Sequence, residues 1–512
     1  MPRDQLLWKP GFSLSRKPAK KLMTRRNRQV TGNATQQYEF ISEYPASPDL
    51  EPRRPIRSTV GTTLEVQTAF AADVYQTRTS SNSQPSSEDI AEISDIAQPF
   101  DETDRGLAYN KHHDHLTLTP SSILYNSVSH RFEPILVKYN QEFCKIPLSS
   151  ELQINPFQYH EGSKTEPLFL LHAVMALAGH HVKSQGMEQH HQTSLKLLRE
   201  AINTIYNNTD VYHMLDTIII LFSLDETQST LGNWQIHLTG AFALLEAYGG
   251  IKNWTQSRRA VVQVGLLIWW DAITSLLSRE DCVFPYSYFE AVVSNCSEKD
   301  WDYFRLCGCP LQLVEVVMRL VRLGAEKKKS LSMRYVKFDD TIISDLENLL
   351  ESWQHVSPPT SFQDEDSMHQ DLDTMHCSEA WRNGLLLYLY RVFQWEPGSQ
   401  VAARAALRAR ITADHIFACR EDNLVAKQAL LPLFFAGCEL KDESTRRKIL
   451  RYCALWDDMT RYHMFDSTIP LLKAVWAEQD QRGFDHVWWG QVVDRVHAAE
   501  SRDTLQMRLC FG

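Results

Sequence analysis

Apolar residues recur at helical spacing through most of the chain beyond about residue 117. Leu195, Leu198 and Ile202, for example, fall on one face of a helix, with polar residues between them. Sustained alternation of apolar and polar residues, which is typical of a half-buried strand, is nearly absent. The pattern therefore predicts an all-α fold, with one large multi-helix domain over residues 116–512.

Capping residues and Gly/Pro positions divide this domain into thirteen predicted helices. Asp210 and Thr255 are predicted to cap two of them, and Gly249-Gly250 is predicted to end a third. The acidic stretch 358–375 is predicted to be a surface loop. The predicted helices are 167–183, 190–206, 211–224, 234–248, 255–278, 311–323, 342–353, 378–394, 400–419, 424–437, 444–459, 468–478 and 491–499.

Residues 1–115 differ from the rest in composition and in charge. Much of this segment is rich in Ser, Thr, Gln, Pro and Asn, with few apolar clusters, so we expect a disordered tail. Its first 28 residues hold nine basic side chains and one acidic one. By contrast, residues 88–104 hold seven acidic side chains, with Ile90, Ile93, Ile96 and Phe100 at helical spacing. That acidic and apolar mixture is typical either of a solvated linker or of a segment that folds on a partner.

Composition restricts the class of protein. With 512 residues, 43% of them hydrophobic, and a net charge of −10, the chain is neither collagen-like nor wholly disordered. It opens without an apolar signal region, and its longest apolar runs are shorter than the ~20 residues of a membrane span, so we expect no membrane partner. The ten cysteines include no Cys-x-x-Cys pair, which indicates reduced intracellular thiols.

Motifs that carry chemistry are missing from the sequence. There is no phosphate-binding GxxxxGK[ST] loop, no GxSxG nucleophile turn and no HExxH zinc helix. Two aspartate pairs, Asp339-Asp340 and Asp457-Asp458, lack the further acidic partners that a magnesium–diphosphate site requires. The histidine pairs His180-His181 and His190-His191 are interpreted as solvated or hydrogen-bonded turn residues, with a four-histidine site across the turn as the less favoured alternative. We therefore expect neither a catalytic site nor a metal site in this chain.

The basic residues of the tail form a series of doublets that suits either a nuclear-import signal or contacts with nucleic-acid phosphates. A merely soluble charged terminus is the alternative. The candidate residues are Arg16, Lys17, Lys20, Lys21, Arg25, Arg26 and Arg28.

Six stretches, in order, resemble the regulatory region of the fungal binuclear zinc-cluster transcription factors, the fungal-specific transcription factor domain of the second type. The strongest is Trp234–Ala241, followed by a Leu-Leu pair and the Gly-Gly pair. The others are Leu171–His181, Trp269-Trp270-Asp271 with its Ser-Leu-Leu-Ser continuation, Gly308-Cys309-Pro310, Leu430–Glu439 with the basic run after it, and Leu471–Trp476.

The resemblance implies a nuclear regulator of RNA polymerase II genes, with metabolic or secondary-metabolite gene clusters as targets. It also implies the transcription machinery and a homodimer or heterodimer with related factors as partners. Asp271, a carboxyl group in an apolar stretch, is interpreted either as a hydrogen-bonded packing residue or as a group lining an effector pocket.

The sequence departs from the family at its N-terminal end. Family members usually carry six cysteines that bind two zinc ions and place a helix in the major groove, whereas the first cysteine here is Cys144. We therefore expect no cofactor in this chain, with zinc only if a cluster precedes it, and DNA binding stays open. A shortened sequence, a truncated start and a natural member without the DNA module are all compatible. In the last case the chain is a co-regulator or dominant-negative partner of related factors.

Overall fold

The computed structural model describes residues 121–159, 167–184, 186–204, 209–296, 301–331, 333, 338–358, 364–399, 403–421, 423–500 and 507–512. Within these ranges the chain forms 18 α-helices and only two short strands, which confirms the all-α fold class. The basic doublets and the acidic segment 88–104 lie outside the described residues, so the predicted boundary at residue 115 stays a prediction.

Nine helices form the first half of the fold: α1 (Ser121–Gln141), α2 (Leu168–His181), α3 (Met187–Thr204), α4 (Thr209–Gln228), α5 (Trp234–Ala247), α6 (Gly250–Trp254), α7 (Arg258–Ser278), α8 (Tyr286–Ser294) and α9 (Tyr303–Cys307). Nine more follow: α10 (Leu311–Leu331), α11 (Thr341–Ser352), α12 (Glu365–Leu389), α13 (Ala403–Ala418), α14 (Leu424–Lys427), α15 (Leu430–Glu439), α16 (Glu443–Thr460), α17 (His463–Arg482) and α18 (Trp489–Glu500).

Helix α7 runs through the centre of the core. All its residues from Ala260 to Ser278 are buried, and it contacts α4, α5, α8, α10 and α18. Its cap is Ser257, whose hydroxyl accepts a hydrogen bond from the Ala260 N–H, so the predicted cap at Thr255 was wrong by two residues. Among the described helices α7 is the one that is long and apolar enough to span a membrane, but its whole apolar window is buried inside the fold, as in the core helix of a globular protein.

The two strands join distant parts of the chain. Strand β1 (Leu231–Gly232) pairs antiparallel with β2 (Arg508–Leu509). The Trp234 indole N–H donates to the Arg508 carbonyl oxygen at 2.8 Å, and the Cys510 N–H donates to the Thr230 carbonyl oxygen at 2.8 Å. These bonds hold residues 508–512 against the start of α5.

The acidic stretch 358–375 is not a loop throughout, so this prediction was wrong. Helix α12 begins at Glu365, and the Asp364 carboxylate caps it by accepting from the Ser367 N–H at 2.7 Å. Glu365 and Asp366 lie in the first turn, where negative charge is favourable next to the helix dipole. The acidic residues therefore start a helix.

The predicted helix 424–437 is split into α14 and α15. A continuous helix would need a hydrogen bond from residue 432 to the Gln428 carbonyl, and Pro432 has no N–H to donate. Pro432 is instead the third residue of α15, where no such bond is required. An added Cβ on Gly384 would lie 3.1 Å from the Pro432 Cα, which shows how closely α12 approaches α15.

Candidate functional site

Asp271 lies in the middle of α7 and is fully buried. Its carboxylate accepts a hydrogen bond from the Phe284 N–H at 2.7 Å and a longer one from the Ser275 hydroxyl at 3.4 Å. Burial raises the pKa of Asp271 to about 6, against the lowering effect of these hydrogen bonds. The residue thus ties the loop before α8 to α7, and its role in effector binding stays a prediction.

A small cavity of about 20 Å³ is lined by Trp269 and Trp270, which precede Asp271 in the sequence, but Asp271 itself does not line it. Helix α4 contributes Glu226, α7 contributes Leu266, Trp269 and Trp270, and α14 contributes Lys427. The remaining walls are Pro147, Leu306, Cys307, Gln428, Tyr462, Met464, Phe465, Phe511 and Gly512. The cavity is therefore an aromatic and apolar space with one buried acid and one buried base.

Lys427 is positioned by a short helix that is fixed at both ends. The Asn423 side chain caps α14 by accepting from the Val425 N–H at 3.1 Å, and the Tyr452 hydroxyl donates to the Ala426 carbonyl at 2.7 Å. The Lys427 ammonium lies over the Tyr462 ring, 5.6 Å from its centroid. Burial lowers the pKa of Lys427 to about 7, and the nearby Glu226 partly opposes this.

Glu226 occupies the last turn of α4 and is 3% exposed. Burial raises the pKa of Glu226 to about 8, while Lys427 and a hydrogen bond with Trp270 lower it. Glu226 and Lys427 influence each other electrostatically, but they form no direct ion pair. Both side chains line the cavity.

Residues 93–511 match the family model of the fungal specific transcription factor domain. The match covers every described helix and both strands, and most of the chain. The chain belongs to this family. Fungal transcription factor domains act in transcription regulation and are not an enzyme family, so membership assigns the chain a regulatory role associated with DNA and the nucleus. No curated protein and no solved structure matches the chain significantly.

The family match starts at residue 93, inside the segment that sequence analysis assigns to the tail. Residues 93–120 are not among those that the structure describes. The seven basic candidates, Arg16 to Arg28, lie outside both the described residues and the match.

Metal-binding geometry was not found in the described part of this fungal transcription factor domain, where no three His, Cys, Asp or Glu side chains are grouped to hold an ion. His190 pairs with His172, with 2.8 Å between their Nδ1 atoms. Asp457 pairs with His463 at 2.8 Å, and Asp339 accepts from the Thr341 N–H at 3.0 Å. All ten cysteines are free.

Sequence reasoning missed both charged residues of the cavity. The sequence carried one signal, at Lys427. This residue is the only charged one between residues 424 and 438, where Cys438 is the only other ionisable residue. Glu226 gave no such signal, because it stands beside Asp225 at the end of the apolar run of α4. The two lie far apart in sequence, and only the packing of α4, α7 and α14 brings them to one cavity.

A second, more open groove of about 280 Å³ is lined by Trp353, His355, Val356 and residues of α10 and α12, among others. Its one ionisable lining residue, His355, is already paired with Asp371 at 3.1 Å. The Glu226–Lys427 cavity is therefore the better candidate site, because its charged groups lack such a pairing.

Proposed function

We propose that this protein is a nuclear regulator of RNA polymerase II genes that controls a metabolic or secondary-metabolite gene cluster. The observation that supports this most is the family match over residues 93–511, which includes the whole described helical domain. The helical domain has the regulatory part in this proposal, and the protein has no catalytic activity of its own.

The tail supplies the remaining functions. The basic doublets Arg16-Lys17, Lys20-Lys21 and Arg25-Arg26 direct nuclear import or contact DNA phosphates. The acidic and apolar segment 88–104 contacts the transcription machinery, because segments of this composition fold on partner surfaces.

A fluorescent fusion of the full chain, together with transcript profiles after deletion of its gene, tests this function. We expect nuclear fluorescence and altered transcription of a set of clustered genes. Restoring the gene on a plasmid should restore those transcripts. A fusion that stays in the cytoplasm, together with unchanged transcripts in the deletion strain, would contradict the proposal.

A second proposal is that the chain acts as a co-regulator or dominant-negative partner that dimerises with related zinc-cluster factors. It is supported by the position of the cysteines, because the 143 residues before Cys144 contain none. Overexpressing the chain should then reduce expression from promoters that a related factor activates, and the two proteins should co-purify. If overexpression instead activates a reporter without any relative present, the co-regulator proposal fails.

A further inference from the structure

Residues 353–358 form an extended segment directly after α11. Trp353 leaves the helix with extended backbone angles, φ −68° and ψ 140°. From Trp353 to Pro358 the side chains alternate between half-buried and exposed, which is the period of a strand. Val356, at one of the exposed positions, is 82% exposed. The segment therefore has the form of a β-strand, although it pairs with no other strand in the described part of the chain.

The backbone of residues 354–358 has no hydrogen-bond partner among the described residues. Four of these five residues have an N–H group to donate, because only Pro358 lacks one. A row of unpaired N–H and C=O groups is a template onto which another extended chain can pair. The segment is therefore an open strand edge.

The open groove of about 280 Å³ borders this strand edge, since the four consecutive residues 353–356 all line it. Neighbouring side chains of a strand point to opposite faces, so a groove that meets all four lies along the backbone between them. The other walls come from α9, the start of α10 and α12, and consist of Phe304, Pro310, Gln312, Thr374 and Ser378. These walls are apolar or uncharged, so the groove suits a chain with apolar side chains on one side.

Residues 62–68 of the tail have that pattern. In the sequence TTLEVQT, Leu64 and Val66 fall on one side of an extended chain, and polar residues fall on the other. Four of the seven residues are β-branched and none is proline, which favours a strand. More than 50 residues separate this segment from α1, which starts at Ser121, so the chain is long enough to reach the groove.

We propose that residues 62–68 add to the 353–358 segment as a second strand, with Leu64 and Val66 facing Trp353 and Phe304 in the groove. Docking closes residues 69–120, which include the acidic segment 88–104, into a loop that starts and ends on the helical domain. This inference goes beyond the proposed function, because docking is measured on the purified chain whether or not the chain regulates any gene.

Amide hydrogen exchange of the full chain, followed by mass spectrometry, tests this pairing. In an open edge, the N–H groups of residues 354–357 exchange as fast as those of an unstructured peptide. With a Kd on the order of 0.1 mM for the separate strands and an effective concentration on the order of 1 mM from the tether, docking should slow the paired N–H groups about tenfold. Residues 62–68 should show the same protection, and neither effect should depend on protein concentration.

Leu64→Ser/Val66→Ser removes the apolar side of the tail segment and should return both segments to the unprotected rate. Tyr38→Ser/Phe40→Ser is the matched control, because it removes another alternating apolar pair from the tail, and it should change neither rate. Gln312→Trp is the groove variant. Gln312 is exposed in the first turn of α10, so the larger side chain fills the groove without entering the core, and protection of the tail segment should be lost.

A synthetic peptide of residues 59–69 provides an independent measurement. By fluorescence anisotropy it should bind the Leu64→Ser/Val66→Ser chain several-fold more tightly than wild type, by rough estimate, because the wild-type segment competes for the groove. Equal binding to both chains overturns the proposal, as does equal exchange of residues 354–357 in wild type and the double variant. An effect of Tyr38→Ser/Phe40→Ser as large as that of Leu64→Ser/Val66→Ser also overturns it. Protection that rises with protein concentration does so too, because a second copy of the chain then occupies the groove.

Discussion

Asp271 illustrates at the scale of one residue how burial and hydrogen bonding act on the same carboxyl group. Its pKa is raised from 3.8 to about 6, mainly by burial. The folded protein therefore binds more protons than the unfolded chain between these two values. Its free energy of unfolding must then fall as the pH rises through that window, and the effect is nearly complete at about pH 7.

We expect Asp271→Asn to remove this part of the pH dependence. The shift of about two pKa units corresponds to about 3 kcal/mol between pH 4 and pH 7. Urea unfolding at a series of pH values should show wild type losing that amount relative to the variant. The exposed Asp458→Asn is the control and should follow wild type. Parallel curves for wild type and Asp271→Asn would contradict the assignment.

Gly308 is a second residue whose identity follows from local geometry. Its φ of +72° is a left-handed value, and an added Cβ would lie 2.4 Å from the Gln428 Cβ. Gly250 has a similar φ of +66°, but an added Cβ there meets nothing closer than 3.4 Å. Replacing each glycine by alanine therefore distinguishes the cost of backbone strain, which is present at both positions, from the cost of a steric clash, which is present only at Gly308.

Gly250→Ala should cost about 1 kcal/mol of the free energy of unfolding, from backbone strain alone. Gly308→Ala should cost about 1–3 kcal/mol more, because the methyl group must displace Gln428. Denaturant unfolding of both variants measures the difference. Equal losses would show that Gln428 moves aside freely and that the contact is not restrictive.

At the scale of elements, a buried ion pair joins the end of α12 to α15. Helix α12 continues as a π-helical turn, Tyr390–Gln394, which carries Arg391. Its guanidinium donates two hydrogen bonds of 2.6 Å to the Glu439 carboxylate, and both side chains are almost fully buried. Removing one partner leaves the other charge buried and alone.

Arg391→Met should therefore lower the free energy of unfolding by about 3–5 kcal/mol, and the double variant Arg391→Met/Glu439→Leu should recover much of that loss. Arg482→Met, which breaks a half-exposed pair with Glu478, should cost at most about 0.5 kcal/mol. Thermal or urea unfolding of these proteins gives the comparison. A double variant no more stable than Arg391→Met would mean that the helix contact depends on the charges themselves.

Helices could be predicted where apolar residues recur on one face. The errors arose at a helix cap and at a proline, where a single residue sets the helix boundary. Helix α5 begins at Trp234 as predicted and is followed by Gly249, which has a φ of +97°. The loop predicted around Asp364 was wrong because an acidic stretch can also begin a helix, as the capping position of Asp364 shows. The break before Pro432 follows from its missing N–H, a signal that was present in the sequence.

At the scale of the whole molecule, the cavity could not have been predicted from the sequence. Glu226, Trp270 and Lys427 come from three separate helices, and Phe511 and Gly512 reach the cavity from the far end of the chain, next to strand β2. The fold class, in contrast, follows from periodicity alone and needs no knowledge of which helices touch. Charge distribution along the chain is also readable without the fold.

That charge distribution predicts how the full chain binds DNA. Residues 1–28 carry a net charge of +8, which leaves −18 for the rest, so only the tail attracts phosphates. If all seven doublet residues contact phosphates, the logarithm of the affinity should fall with the logarithm of the salt concentration with a slope of about −6. Binding should be weak and independent of DNA sequence, because phosphate contacts carry no sequence information.

Fluorescence anisotropy with two unrelated duplexes at several salt concentrations measures both properties. Replacing the seven residues by alanine should abolish binding, whereas a clear preference for one duplex would show that a base-reading element exists elsewhere in the chain. The replaced residues are Arg16, Lys17, Lys20, Lys21, Arg25, Arg26 and Arg28.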